Sequence, residues 1–167
     1  FTGTTVTPAT NYNGTLVVSV KVNDGALDSP PYNLQITITP VNDPPRITAQ
    51  SPLSTNEDTP ITLVISNFTV VDPEPTTYTL TVAPAAGTNY TVSGNTVTPN
   101  ANYFGNISVP VTVSDGFLNS VVFNAQIQII PVNDPPVIVG QTSLSTIEDT
   151  PITLLLTDLT VTDVDNP

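Results

Sequence analysis

The sequence contains no histidine, cysteine, methionine or tryptophan, and only two cationic side chains, Lys21 and Arg46, among 167 residues. Each absence removes a class of chemistry. Without His or Cys there is no imidazole base, no thiolate nucleophile, no disulfide and no zinc site. The missing cysteines exclude a disulfide-stapled scaffold but assign no compartment by themselves. Two cations cannot neutralise a phosphate backbone, so nucleic acid is not an expected partner. No apolar run approaches the ~18 to 20 residues that a membrane helix needs, and no membrane span or signal peptide is expected in this segment.

What the chain does contain points to strands. Thr (29 residues) and Val (22 residues) supply almost a third of the sequence, and both favour extended backbone. Eighteen Pro and sixteen Asn punctuate them, while the 14 acids leave a formal charge of −12. That charge favours solubility and attracts cations. An all-β protein is the expectation.

A duplication organises the chain. VNDPP occurs at 41–45 and at 132–136, TNEDTPITL at 55–63 returns as TIEDTPITL at 146–154, and NYNGTLVVSVKVNDG at 11–25 returns as NYFGNISVPVTVSDG at 102–116. Each pair is offset by 91 residues, and residues 1–76 laid over 92–167 without a gap share 40 identities. Residues 1–45 correspond to the C-terminal part of a repeat, 46–136 to a complete repeat, and 137–167 to the N-terminal part of the next. The expectation is a piece of a longer tandem array. The alternative is a filament, in which the tail of one chain is completed by the head of the next.

Period-two alternation marks the strands within the whole repeat. Ile61, Leu63 and Ile65 alternate with Thr62 and Val64, and Tyr78, Leu80 and Val82 alternate with threonines. Ile107, Val109, Val111 and Val113 form the longest strand, followed by Phe123, Ala125, Ile127 and Ile129. Shorter candidates lie at 46–50, 89–93 and 95–98, separated by turn signals at Ser93-Gly94-Asn95, Asp115-Gly116 and 72–75. About seven short strands in a unit of this size predict an immunoglobulin-like β-sandwich. No segment keeps a helical period. Tyr12 and Tyr103, in the recurring NY-x-G motif, are expected to pack at a domain corner, and Tyr32, the mate of Phe123, in the core.

The acids are not scattered. Twelve of the fourteen recur with the repeat: Asp24 and Asp115, Asp43 and Asp134, Glu57-Asp58 and Glu148-Asp149, and Asp72/Glu74 with Asp163/Asp165. Only Asp28 and Asp158 fall outside, and their repeat mates are Asn119 and Asn67. Carboxylates gathered at strand ends and connectors repel one another unless a cation or hydrogen bonds compensate them. Ca²⁺ suits this set best: it takes ~6 to 8 oxygens from Asp, Glu, Asn and backbone carbonyls at flexible geometry. A transition metal prefers ligands that this chain lacks.

The VNDPP connector, the EDTP segment, the D-x-D/E pair and the DG turn together resemble the tandem cadherin-like repeats of large bacterial surface proteins, over the full length. The resemblance implies an extracellular, cell-surface location and Ca²⁺ held at the junctions between repeats. For the first junction it implies Asn42 and Asp43 with Asp72, Glu74 and Asp115. For the second it implies Asn133 and Asp134 with Asp163 and Asp165, and Glu57 reaching it from the base of the central repeat. The sequence departs from the family pattern in carrying Pro40 and Pro131 where an acid precedes the connector, and Asn100-Ala101-Asn102 where a mid-domain acidic motif is expected.

Every one of these motifs also has a plain architectural reading. Asp-Gly turns are ordinary hairpin chemistry. The proline-rich connector is stiff without any ligand. Glu57-Asp58 before Thr59-Pro60 suits local turn hydrogen bonds. Four Asn-x-Ser/Thr sequons, at Asn13, Asn67, Asn89 and Asn106, are expected by chance in so Asn- and Thr-rich a chain.

The function expected is a structural or adhesive module whose partners are neighbouring repeats of the same chain or identical chains. Without calcium, repulsion at the junctions is expected to loosen the array. Catalysis is not expected: Asp72 and Glu74 invite comparison with a carboxylate pair, but acids in a proline-rich turn lack an apolar cleft to raise one pKa. A ligand-binding module, or an accessory module of a larger surface enzyme, is the remaining alternative. It lacks the exposed Trp platforms usual for sugars.

Overall fold

A computed structural model of the chain describes residues 5–74, 76–83 and 89–165. Pro75 of the predicted turn and the outermost residues of the first and last segments lie outside this set. The chain opens with a hairpin of β1 (Gly14–Val20) and β2 (Tyr32–Ile38). The central body follows as β3 (Arg46–Gln50), β4 (Ser54–Asn56), β5 (Ile61–Thr62), a 3-10 turn at Ile65–Asn67, β6 (Phe68–Val71), β7 (Thr79–Val82), β8 (Tyr90–Ser93), β9 (Thr96–Pro99), β10 (Gly105–Ser114) and β11 (Phe123–Ile130). The last segment carries β12 (Val137–Gln141), a second 3-10 turn at Leu156–Asp158 and β13 (Leu159–Thr162).

The duplication in sequence is a duplication in structure. β1 and β2 lie 91 residues before β10 and β11 in the same register, Gly14 opposite Ile38 as Gly105 is opposite Ile129. β12 and β13 repeat β3 and β6, including the irregularity that falls between Ile47 and Ala49 in one and Ile138 and Gly140 in the other.

In the central body one sheet runs β4-β11-β10-β7, with β4 parallel to β11 and the other pairs antiparallel. The opposing layer holds β5-β9-β8 and the pair β3-β6. β5 and β6 are the two halves of one broken strand, so this layer reads β3, β6/β5, β9, β8. That is a two-layer all-β sandwich with an immunoglobulin-like strand order. Alternation decides which side chains face inward. Val109, Val111, Ala125, Ile127 and Ile129 from one sheet meet Ile47, Leu63, Phe68 and Val97 from the other, all buried. Phe123 meets Phe68 edge-on, with ring centroids 6.1 Å apart.

The predicted strand over 61–65 is shorter than expected. It ends at Thr62, because the Asn67 side-chain oxygen accepts the Val64 N–H at 2.8 Å and turns the chain out of the ladder. Asp158 makes the same bond to Leu155 N–H at 2.8 Å, so the Asn-to-Asp difference between repeats keeps the acceptor. A second side chain finishes the sheet. Where β4 does not reach, Gln50 pairs with Gln126 as a strand would, accepting its N–H and donating to its carbonyl, both at 2.8 Å.

The first and last segments present to solvent what the central body buries. Leu63 is 0% exposed but its mate Leu154 is 69% exposed; Val113 is 1% exposed but its mate Val22 is 73% exposed. Tyr32, expected in the core, is 70% exposed, since no second sheet covers the β1–β2 hairpin among the described residues. Tyr103 does pack at a corner: it lies against the core and donates to Asn106 O at 3.2 Å, as Tyr12 donates to Thr15 O at 2.8 Å.

Candidate functional site

The acids of the recurring motifs collect where the connectors meet the bodies. The Asp115-Gly116 turn joins β10 to β11, and Gly116 takes the positive φ of 95° that the turn requires. Asp115 is buried. One of its oxygens accepts the N–H groups of Phe117 and Leu118, both at 2.7 Å, and the other accepts the Asn42 side-chain amide at 2.7 Å. Those donors, the Leu118 N–H first, then the Asn42 amide and the Phe117 N–H, hold its carboxyl below the ordinary value of 3.8. Asp24 closes the equivalent turn in the first hairpin, and its pKa is lowered by the N–H groups of Leu27 and Ala26.

The first connector is therefore tied to the central body at two successive residues. Asn42 reaches Asp115, and the Asp43 N–H donates to Glu74 Oε2 at 3.1 Å. Glu74 is set in turn by Asp72, whose Oδ1 accepts the Glu74 N–H at 3.0 Å. The second connector repeats the pattern. The Asp134 N–H donates to Asp165 Oδ2 at 2.6 Å, and the Asp165 N–H donates to Asp163 Oδ1 at 3.0 Å. Asn133 holds its own connector locally, its amide donating to Asp134 O at 3.0 Å.

At the base of the central body the EDTP segment runs beside the end of β11. The Glu57 N–H donates to Ile130 O at 2.9 Å, and its Oε1 accepts the Val132 N–H at 2.6 Å. Glu57 is 4% exposed. Asp58 beside it adopts the left-handed conformation, φ 56°, and accepts the N–H of Asn102, itself at φ 57°. Asn and Asp are the non-glycine residues that tolerate this region best. Hydrogen bonds thus link Asn42 with Asp115, and Asp43 with Glu74 and Asp72, at the first joint; at the second they link Asp134 with Asp165 and Asp163, while Glu57 engages Val132 and the Asn133 amide engages Asp134 O.

Whether these residues fit a cation is tested by two buried oxygens. Glu57 Oε2 and Asp72 Oδ2 are shielded from solvent and have no hydrogen-bond partner among the described residues. An unpaired buried carboxylate oxygen is costly and suits a ligand position. Among the described residues, however, no three acidic side chains close on a common point. An ion at either joint would therefore combine one or two carboxylates with amide, backbone and water oxygens, a donor set within the range that Ca²⁺ accepts. The main-chain donors at Val132 and Asn102 leave no mark in the residue pattern, since every residue except proline carries an N–H.

Main-chain N–H groups engage both Asp72 and Glu74, and Glu74 is turned toward the connector.

The family model described as "Bacterial Ig domain" matches residues 42–128. No curated protein matches the chain. Among solved structures, an endo-fucoidan hydrolase from glycoside hydrolase family 107 is similar at 17% identity and a TM-score of 0.30, over 83% of this chain and 21% of that one. The chain spans about a fifth of that enzyme's length.

Proposed function

The chain belongs to the bacterial Ig domain family, and from that premise we propose that it is a segment of an extracellular repeat array that acts as a mechanical spacer. The observation that carries this reading is the recurrence of the joint. Two connectors 91 residues apart are fastened by the same motifs, although Glu74 is replaced by Asp165 in the second. Side chains kept for architecture recur with the architecture. In a stack of such units each repeat contacts its neighbours, and the connector geometry sets the angle between them. An adhesive role follows if the array carries a binding tip elsewhere.

Ca²⁺ at the joints is the second part of the proposal. Asp72, Glu74, Asp115, Asn42 and Asp43 would hold it at the first joint, and Glu57, Asn133, Asp134, Asp163 and Asp165 at the second. A bound ion would link connector and body and relieve the unpaired oxygens of Glu57 and Asp72. The test is thermal unfolding in chelator and in excess Ca²⁺. A ligand at about 100 times its Kd stabilises by ~2.7 kcal/mol, and Asp72→Asn should abolish most of that gain at the first joint. Equal melting with and without Ca²⁺ removes the ion and leaves the spacer.

A second reading concerns partners. The apolar faces left open at Leu154, Leu156, Val22 and Tyr32 match positions that the central body covers with its own strands or leaves only half-buried. Flanking repeats of the same chain, or neighbouring identical chains, supply the strands of the right pattern. The mass of the 167-residue chain in solution separates the two: a monomer favours the same-chain array, concentration-dependent polymers favour the filament.

A further inference from the structure

We infer that the joint between repeats is a hydrogen-bonded clamp that holds its geometry without metal, and that Glu57 and Asp165 are its two jaws. The clamp rests on the spacer reading for its purpose, not for its existence.

The argument is one of spacing. On the second connector, the Val132 N–H is captured by Glu57 Oε1 at 2.6 Å, from the body that precedes the connector. The Asp134 N–H is captured by Asp165 Oδ2 at 2.6 Å, from the segment that follows it. The two captured amides are two residues apart, so Asn133 is the single residue between the jaws. Beyond it Pro135 and Pro136 fix their own φ angles and bias each preceding residue toward extended backbone. Little torsional freedom remains in the hinge.

Both jaws are braced. Glu57 is held at the end of β4 by its own N–H on Ile130 O, next to a parallel pairing of Ile130 with Asn56. Asp165 is braced by Asp163, whose Oδ1 accepts the Asp165 N–H at 3.0 Å. The first connector shows the same downstream jaw, Glu74 on the Asp43 N–H at 3.1 Å, braced by Asp72. Glu74 and Asp165 differ by one methylene and make the same bond, so an acceptor at this place is what both joints share. Hydrogen bonds from backbone N–H to carboxylate are charge-assisted and stronger than neutral ones. The acids gathered at the joint are thereby compensated in part by main-chain donors, and repulsion without calcium is weaker than their count suggests.

The test is amide hydrogen exchange of the 167-residue chain, read by NMR in the presence of chelator. Val132 and Asp134 should both be protected. Glu57→Ala should raise exchange at Val132 about ten-fold while the Val109 amide in the core keeps its protection. Asp165→Ala should do the same at Asp134 and leave Val132 unchanged. Glu57→Gln, which keeps an oxygen acceptor, should restore part of the Val132 protection, and it carries the test if the alanine variant fails to fold. Rapid exchange at Val132 and Asp134 in chelator, slowed only when Ca²⁺ is added, would overturn the clamp and make the joint metal-dependent while leaving the spacer reading intact. Unchanged Val132 exchange in the glutamine and alanine variants would also overturn it.

Discussion

Truncating Leu63 and its repeat mate Leu154 to alanine makes the same chemical change in two environments. Leu63 is fully enclosed between the sheets at 0% exposure, whereas Leu154 is 69% exposed. Removing three carbons from the core costs ~0.8 kcal/mol per methylene in transfer, about 2.4 kcal/mol in all. The cavity left behind raises the total for L63A to about 3 to 4 kcal/mol. With a urea slope of about 1 kcal/mol/M for a domain of this size, the unfolding midpoint should fall by roughly 3 M. L154A should stay within about 0.5 kcal/mol of the parent. Urea titration followed by tyrosine fluorescence suits a chain with five Tyr and no Trp. If L154A loses as much as L63A, the last segment is covered in solution and the open-face description is refuted. If L63A loses less than about 1 kcal/mol, the sandwich core is not as described.

Two further expectations follow from the hydrogen bonds. Gln50→Ala leaves the N–H and carbonyl of Gln126 without their side-chain partner and should cost about 1 to 2 kcal/mol; a loss under ~0.3 kcal/mol would show that water replaces the amide. Asp24 has a lowered pKa, so its contribution is complete above the ordinary 3.8 and is lost as pH falls through its lower folded value. The Ala26 and Leu27 amide shifts should therefore titrate with a midpoint below 3.8, and a midpoint at or above it would contradict the turn geometry.

Much of the architecture could be read in the residues, and the exceptions have physical causes. β10 and β11 alternate Ile, Val and Ala with Ser, Thr, Gln and Asn, so their inward faces are written in the sequence. The 91-residue offset likewise carried the hairpin registers. β4 was missed because Ser-Thr-Asn has no apolar alternation; backbone pairing with β11 makes it a strand. The break after Thr62 was missed because it depends on one side chain, Asn67, competing with the ladder. The Leu63 and Leu154 environments differ although their sequences do not, because burial is set by what packs opposite.

The joints divide in the same way. Recurrence located their acids, and the structure gathers those residues around the connectors. It also gives Glu57 and Asp165 a role that residue types alone do not display, since their partners are backbone N–H groups. Asn42 on Asp115, joined across 73 residues of sequence, is another pairing that only the folded chain reveals.

The central claim is that the joints fix the angle between repeats, and small-angle scattering of a multi-repeat chain, titrated from excess chelator to millimolar Ca²⁺, tests it most directly. The account predicts an extended particle already in chelator, because the clamp orders each connector, with further stiffening that saturates as Ca²⁺ fills the joints. A particle with the broad, compact distance distribution of flexibly linked domains in both conditions would contradict it.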